Sequence, residues 1–183
     1  GSNTTGGGNN YDELYADIRK WLQNGWMDYC VPQLYWEMNH PTNRYDVLLD
    51  WWNKNCFGRD LYIGHGIYRA GGKGWKDVNE IPTQINLLRQ YSTTQGSVYF
   101  SSKSFDKNPF GWNDSLRNNY YAAPALTPAM PWIDNVKPQN PTLVKQENSL
   151  QLSYGGSKPI KGYIIIAGET KQNAIVKNII YEL

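Results

Sequence analysis

The sequence predicts an α/β fold built on parallel strands, and three observations carry that reading. Between Asn10 and Tyr121, patterns with helical spacing alternate strictly with short apolar runs, an order that calls for parallel strands joined by right-handed helical crossovers. The runs are rich in aromatic and β-branched residues, and the first of them carries no charge between Asp28 and Glu37, as expected of a strand buried in a sheet. Each run ends in polar and aromatic groups, at the carboxyl ends where such folds place their chemistry. Three strands cannot close a barrel, and an open sheet of three leaves its edges bare. The segment is therefore expected to be part of a larger α/β domain.

Taken in order, residues 1–10 are Gly, Ser, Thr and Asn and form a loop. Asn10 and Glu13 have capping-box-like spacing, and Tyr11, Leu14, Tyr15, Ile18, Trp21 and Leu22 continue one helix that Gly25 ends. The first strand runs from Trp26 to Glu37 and is closed by the breaker Asn39-His40-Pro41. A second helix starts near Arg44, with Tyr45, Leu48, Leu49 and Trp52 on one face. Leu61 to Tyr68 is the second strand, and its glycines at 64 and 66 imply close backbone approach. A Gly-rich loop, Ala70 to Trp75, precedes Asp77 and Glu80, which read as helix caps for Ile81, Ile85, Leu88 and Tyr91. The third strand is Ser97 to Ser102, and a short helix follows over Asn113 to Tyr121. From Ala122 a proline-rich linker descends, and Leu150–Tyr154, Gly162–Ala167 and Ala174–Ile180 read as antiparallel strands. Some 45 residues are too few for the roughly 100 of an immunoglobulin-like sandwich, so the expected organisation is residues 1–136 as one unit and 137–183 as the start of a β module.

Composition narrows the function. Aromatic residues make up 14% of the chain, with 8 Trp and 14 Tyr against 4 Phe. Trp and Tyr pair an apolar face with a hydrogen-bonding edge, which suits wet, selective surfaces such as sugar or peptide sites, and on composition alone an aromatic-rich core is the equal alternative. A net charge of +2 without a Lys/Arg run disfavours nucleic acid as partner. No stretch has the length and apolarity of a membrane span, and the start has no signal-peptide pattern. Cys30 and Cys56 are expected to be buried thiols rather than a disulfide.

In a barrel, every strand points its carboxyl end at one mouth. That gathers Gln33, Tyr35, Trp36 and Glu37 from the first strand, His65, Tyr68 and Arg69 from the second, and Ser101 with its neighbours Ser102 and Lys103 from the third. Aromatic, amide, imidazole and guanidinium groups together suit a polyhydroxylated ligand. Glu37 is the one catalytic candidate, and a weak signal, because glycoside hydrolysis normally needs two carboxylates; a substrate-binding role and a solvated loop acid are the other readings. His65 reads as a ligand contact or a satisfied core histidine, and its place between two glycines at a strand end favours contact. The two histidines have no ligand-spaced Cys or carboxylate cluster, the glycine loop has no phosphate-binding pattern, and neither a metal nor an organic cofactor is expected.

Gly25-Trp26-Met27-Asp28-Tyr29, Pro32-Gln33-Leu34-Tyr35-Trp36, Trp51-Trp52, Leu61-Tyr62-Ile63-Gly64-His65 and the Pro124-to-Pro128 stretch together resemble the glycosyl hydrolase-like 10 family of bacterial envelope proteins. The resemblance covers roughly residues 1–136 and implies a partial (β/α)8 barrel, about strands six to eight with flanking helices, followed by a fibronectin type III-like module. It implies a parent glycosidase of the cell envelope, periplasmic or secreted, that cleaves peptidoglycan strands lacking stem peptides or another polysaccharide. The family's acidic motif belongs to an earlier strand, so the main acids are expected upstream and this chain is expected to be inactive alone. Gln33, Tyr35, Trp36, His65 and Tyr68 are the implied substrate-binding positions, and open barrel edges imply self-association. The rival reading is a non-catalytic carbohydrate-binding or envelope-scaffolding protein.

Overall fold

The structure, a computed structural model, describes residues 2, 4–160, 162–168 and 175–181, the last stretch as backbone only. It is mixed α/β and divides into two compact units, Gly1–Tyr120 and Tyr121–Leu183. Among the described residues no helix is long and apolar enough to cross a membrane.

The first unit opens with α1 (Asn10–Leu14) and α2 (Ile18–Gln23) where one helix was expected. Tyr15 is left-handed at φ 53°, and the Asp17 side chain accepts from Lys20 N to start a new helix, so the apolar periodicity runs across a break. The cap of α1 lies one residue earlier than the sequence suggested. Asn9 accepts from the Tyr11 and Asp12 amides, while its own N–H donates to Glu13 Oε1 at 3.0 Å.

The sheet has strand order β1 (Tyr29–Cys30), β2 (Asp60–His65), β3 (Thr94–Tyr99), all parallel. Between the strands come α3 (Tyr45–Lys54) and α4 (Glu80–Leu88). The first strand is much shorter than its apolar run, because Pro32 has no N–H to give the ladder. Its carbonyl instead accepts from Gly64 N at 2.9 Å, Leu34 N donates back to Gly64 O, and Gln33 pairs with Gly64 as an isolated bridge. The third strand begins at Thr94, earlier than expected, with Gly96 inside the ladder opposite Tyr62.

Strand alternation divides the sheet's two faces. Cys30, Leu61 and Ile63 face the helices and join Leu22, Leu34, Tyr45, Leu49, Cys56 and Leu88 in one core. Both cysteines are buried and unbridged, and burial pushes the Cys30 thiol up to about 11. On the other face, Tyr29 meets Tyr62 edge-on with centroids 5.7 Å apart. A second cluster, Ile67, Trp75, Ile81, Ile85, Trp112 and Leu116, includes two residues of α4. It brings in α5 (Ser102–Phe105) at its margin through Phe105 and α6 (Trp112–Ser115) at its centre. The expected helix at 113–121 is α6 followed by a wider turn, Leu116–Tyr120.

In the second unit, β4 (Thr142–Lys145) pairs antiparallel with β5 (Leu150–Ser153), and β6 (Gly162–Ala167) with β7 (Ile175–Tyr181). Lys158 pairs with Asp134. The strand expected at 174–180 is found at Ile175–Tyr181, Ala174 itself lying outside the described residues.

Gly64 and Gly66 set how closely the end of the first run lies on the second. A Cβ at Gly66 would stand 2.9 Å from Tyr35 Cβ, and one at Gly64 would stand 3.0 Å from Pro32 O. Gly66→Ala is therefore expected to cost about 1–3 kcal/mol in urea unfolding through overpacking, with a changed near-UV tyrosine signal as Tyr35 is displaced. An unfolding midpoint and spectrum equal to wild type would show that the approach is loose.

Candidate functional site

Just past the three strands, three rings meet. Tyr35 follows the Gln33 bridge, Tyr68 stands in the turn Ile67–Arg69 after β2, and Phe100 follows β3. Tyr35 and Phe100 stack with centroids 6.0 Å apart, and Tyr68 meets both edge-on at 5.9 Å. Backbone bonds hold the strand ends together, Phe100 N to His65 O at 3.0 Å and Tyr68 N to Phe100 O at 3.4 Å. Tyr68 is 50% and Phe100 56% exposed. The Arg69 guanidinium lies 5.5 Å from the centre of the Tyr68 ring and its Nε donates to the Tyr68 hydroxyl at 3.2 Å. Burial, and secondarily the neighbouring Tyr68, raise the Tyr35 phenol above its ordinary value. Aromatic faces rimmed by hydroxyl and guanidinium groups can cover the apolar face of a sugar ring while bonding its hydroxyls.

Behind this surface runs a buried polar chain. Gln84 Nε2 donates to Glu80 Oε1 at 2.7 Å and to the Trp36 carbonyl at 3.2 Å, and Glu80 Oε1 also accepts from Met38 N at 2.8 Å. With the amide nitrogen so committed, Gln84 Oε1 is the acceptor 2.8 Å from His65 Nδ1, which must then carry the ring proton. His65 Nε2 is left to accept from Ser97 Oγ at 3.1 Å. The ring lies between Tyr45 and Tyr99, with centroids 5.8 and 5.2 Å away. Four segments are thus tied together: β3, β2, α4 and the Trp36–Met38 turn.

This placement corrects the expectation for His65. It lies on the helix-facing side of β2 with Leu61 and Ile63, is 0% exposed, and has partners at both nitrogens, so it presents no atom to a ligand. Burial pulls its pKa down to about 4. Glu80, read from the sequence as a cap, instead lies 6% exposed on the inner face of α4, its carboxyl raised chiefly by burial.

The remaining sequence candidates lie on the segments that carry the rings. Gln33 is exposed, and Trp36 meets His40 edge-on at 6.4 Å. Glu37 is half-buried against Gly74, where any side chain would overlap its carboxylate, and its charge reaches Glu80. Arg69 joins the cluster through Tyr68, as above. Ser101 precedes α5 and makes no side-chain cap bond to it; its carbonyl accepts from Ser104 N at 2.9 Å. Phe100 was missed, although its position ending the third run beside Ser101 matches those of Tyr35 and Tyr68 in theirs. Among the described residues no group of three His, Cys, Asp or Glu could hold a metal ion.

Acidification tests the buried histidine. Between pH 6.5 and about 4 the unfolded chain protonates His65 while the folded chain does not, so stability falls as pH drops, by up to about 3 kcal/mol. The raised Glu80 pKa acts oppositely, since the folded state takes up that proton first and is favoured as pH falls through it. His65→Gln is expected to lose the acid decline, measured by urea unfolding at pH 7 and pH 4.5; an unchanged decline would assign it to other groups. At pH 7, Glu80→Ala is expected to cost about 2–4 kcal/mol and Glu80→Gln about 1 kcal/mol or less, because only the first leaves Met38 N and Gln84 without an acceptor.

Residues 2–79 match the family model described as Glycosyl hydrolase-like 10. The chain is similar to Glycosyl hydrolase YngK of Bacillus subtilis (strain 168), 46% identical over 150 residues that cover 79% of this chain and 29% of that protein. It is also similar to Glycosyl hydrolase DigH of Escherichia coli (strain K12), 36% identical over 118 residues that cover 58% of this chain and 26% of that protein. The chain thus spans less than a third of the length of either relative. The sequence motifs at Gly25–Tyr29, Pro32–Trp36 and Leu61–His65, with Tyr35 and Tyr68, all fall within the matched segment, and over residues 2–79 the chain carries the glycosyl hydrolase-like 10 family pattern.

Proposed function

We propose that this chain forms the sugar-binding side of a glycoside hydrolase active site. In this reading β1, β2 and β3 are strands six to eight of a (β/α)8 barrel, and residues 137–183 begin a fibronectin type III-like module. The observation that carries it is the Tyr35–Tyr68–Phe100 cluster at the carboxyl ends of three adjacent parallel strands, supported by relatives named as glycosyl hydrolases. Gln33, Trp36, Arg69 and Ser101 complete the mouth around the rings. The substrate is a bacterial envelope glycan, peptidoglycan strands without stem peptides, cleaved outside the cytoplasm by the longer parent protein.

Hydrolysis proceeds through paired carboxylates. One protonates the leaving glycosidic oxygen; the other attacks the sugar or activates water, at a separation of about 5 to 10 Å. In this chain Glu80 is occupied by Met38 N and Gln84, so Glu37 is the carboxylate at the strand ends that remains available, and the principal acids lie in the part of the parent outside this chain. No cofactor enters the chemistry. The commitment of Glu80 favours a second reading for the chain by itself, a carbohydrate-binding surface without catalysis.

The test compares a protein of the relatives' length with this chain. The longer protein is expected to release sugars from peptide-free peptidoglycan, and this chain to bind the same glycan without cleaving it. Tyr35→Ala and Phe100→Ala are each expected to weaken that binding about five- to tenfold by calorimetry, the loss of about 1–1.4 kcal/mol of ring contact. Binding without release by the longer protein would leave the non-catalytic reading, and undiminished binding in both variants would remove the sugar site from the strand ends.

A further inference from the structure

A second surface of the first unit has the composition of a carbohydrate site. A cleft of about 670 Å³ lies between the Thr4–Asn10 loop, the α1–α2 junction and the Trp51–Trp52 part of α3, with Tyr11 and Arg19 also among its lining residues. Its size falls in the range of sites that hold small ligands, roughly 300–1,000 Å³. Trp51 and Trp52 meet edge-on with centroids 5.1 Å apart, both half-buried. The exposed Arg19 guanidinium lies 6.0 Å from the Trp51 ring and 5.8 Å from Phe57, a cation spread over aromatic faces with its head in water.

The loop that walls this cleft is also fastened to the mouth. Thr5 N donates to Thr42 O at 3.2 Å and Gly6 N to the buried Asn43 Oδ1 at 3.0 Å, both in the turn after the first run. Gly7, which lines the cleft, lies against Trp36; a Cβ on it would be 3.7 Å from Trp36 Cζ2. The loop that lines the cleft is thus bonded to the turn after the first run and packed on Trp36.

We propose that this cleft is a second glycan subsite, holding further residues of the same chain bound at the mouth. Trp51 covers the apolar face of a sugar, with Trp52 and Tyr11 beside it, and Arg19 takes an acidic substituent. The inference rests on the proposed function for its ligand class and goes beyond it by assigning chain-length and charge preference to residues remote from the three rings.

The experiment is calorimetric titration of the 183-residue chain with peptide-free peptidoglycan oligosaccharides of one and of four disaccharides, the latter also with its carboxylates amidated. Trp51→Ala is expected to weaken the long oligosaccharide about tenfold and the single disaccharide less than twofold, and Trp51→Phe to restore most of the loss. Arg19→Gln, at an exposed position that does not endanger folding, is expected to weaken only the carboxylate form, about fivefold. Tyr35→Ala should weaken both lengths and so reports separately on the mouth. If Tyr35→Ala has no effect while Trp51→Ala and Arg19→Gln do, the mouth reading fails and the cleft stands. If Trp51→Ala and Arg19→Gln bind the long oligosaccharide as wild type does, lose both lengths equally, or if the wild-type chain binds neither length, the second subsite is overturned.

Discussion

Everything at the strand ends depends on one buried chain of hydrogen bonds, from Ser97 through His65 and Gln84 to Glu80 and the backbone at Trp36 and Met38. Each member satisfies the next, so removing one leaves a desolvated polar group rather than simply one bond fewer. The cost of burying an acid, an amide and an imidazole is met because α4 carries Glu80 and Gln84 one turn apart, both facing the sheet. The gain is positional. A turn that follows a two-residue strand and a proline has little ladder to hold it, and this chain supplies the hold from behind.

The aromatic surface is built from the same arrangement. Leu61, Ile63 and His65 point toward the helices, while the alternate positions of β2 are Tyr62, Gly64 and then Gly66. Those two glycines admit the first run so closely that Tyr35 reaches Tyr68 and Phe100. Packing on one face of the sheet and an absent side chain on the other thus bring three rings from three strands together. Tyr35 and Tyr68 lie inside residues 2–79, the segment that matches the family model, and Phe100 lies outside it.

Much of this was legible in the sequence, and the misses have physical causes. Strict alternation gave the three parallel strands, and the polar and aromatic strand ends gave Tyr35, Tyr68 and Arg69. The barrel remains a proposal, since three strands are a sheet whatever surrounds them. His65 was read as favouring ligand contact over the core because a run apolar on both sides does not announce its parity; its two-residue spacing from Leu61 and Ile63, with glycines on the opposite parity, was the available signal. Asp77 and Glu80 have capping spacing, yet α4 begins at Glu80 itself, which turns that carboxylate inward. Pro32 could have shortened the first strand, and Tyr15, left-handed without being glycine, gave no warning of the break between α1 and α2.

The most direct measurement is the position of a bound oligosaccharide, read from intermolecular nuclear Overhauser effects between a peptide-free peptidoglycan tetrasaccharide and the ring protons of this chain. The account predicts contacts from sugar protons to Tyr35, Tyr68 and Phe100. Contacts confined to other parts of the chain, with those three rings silent, would contradict it.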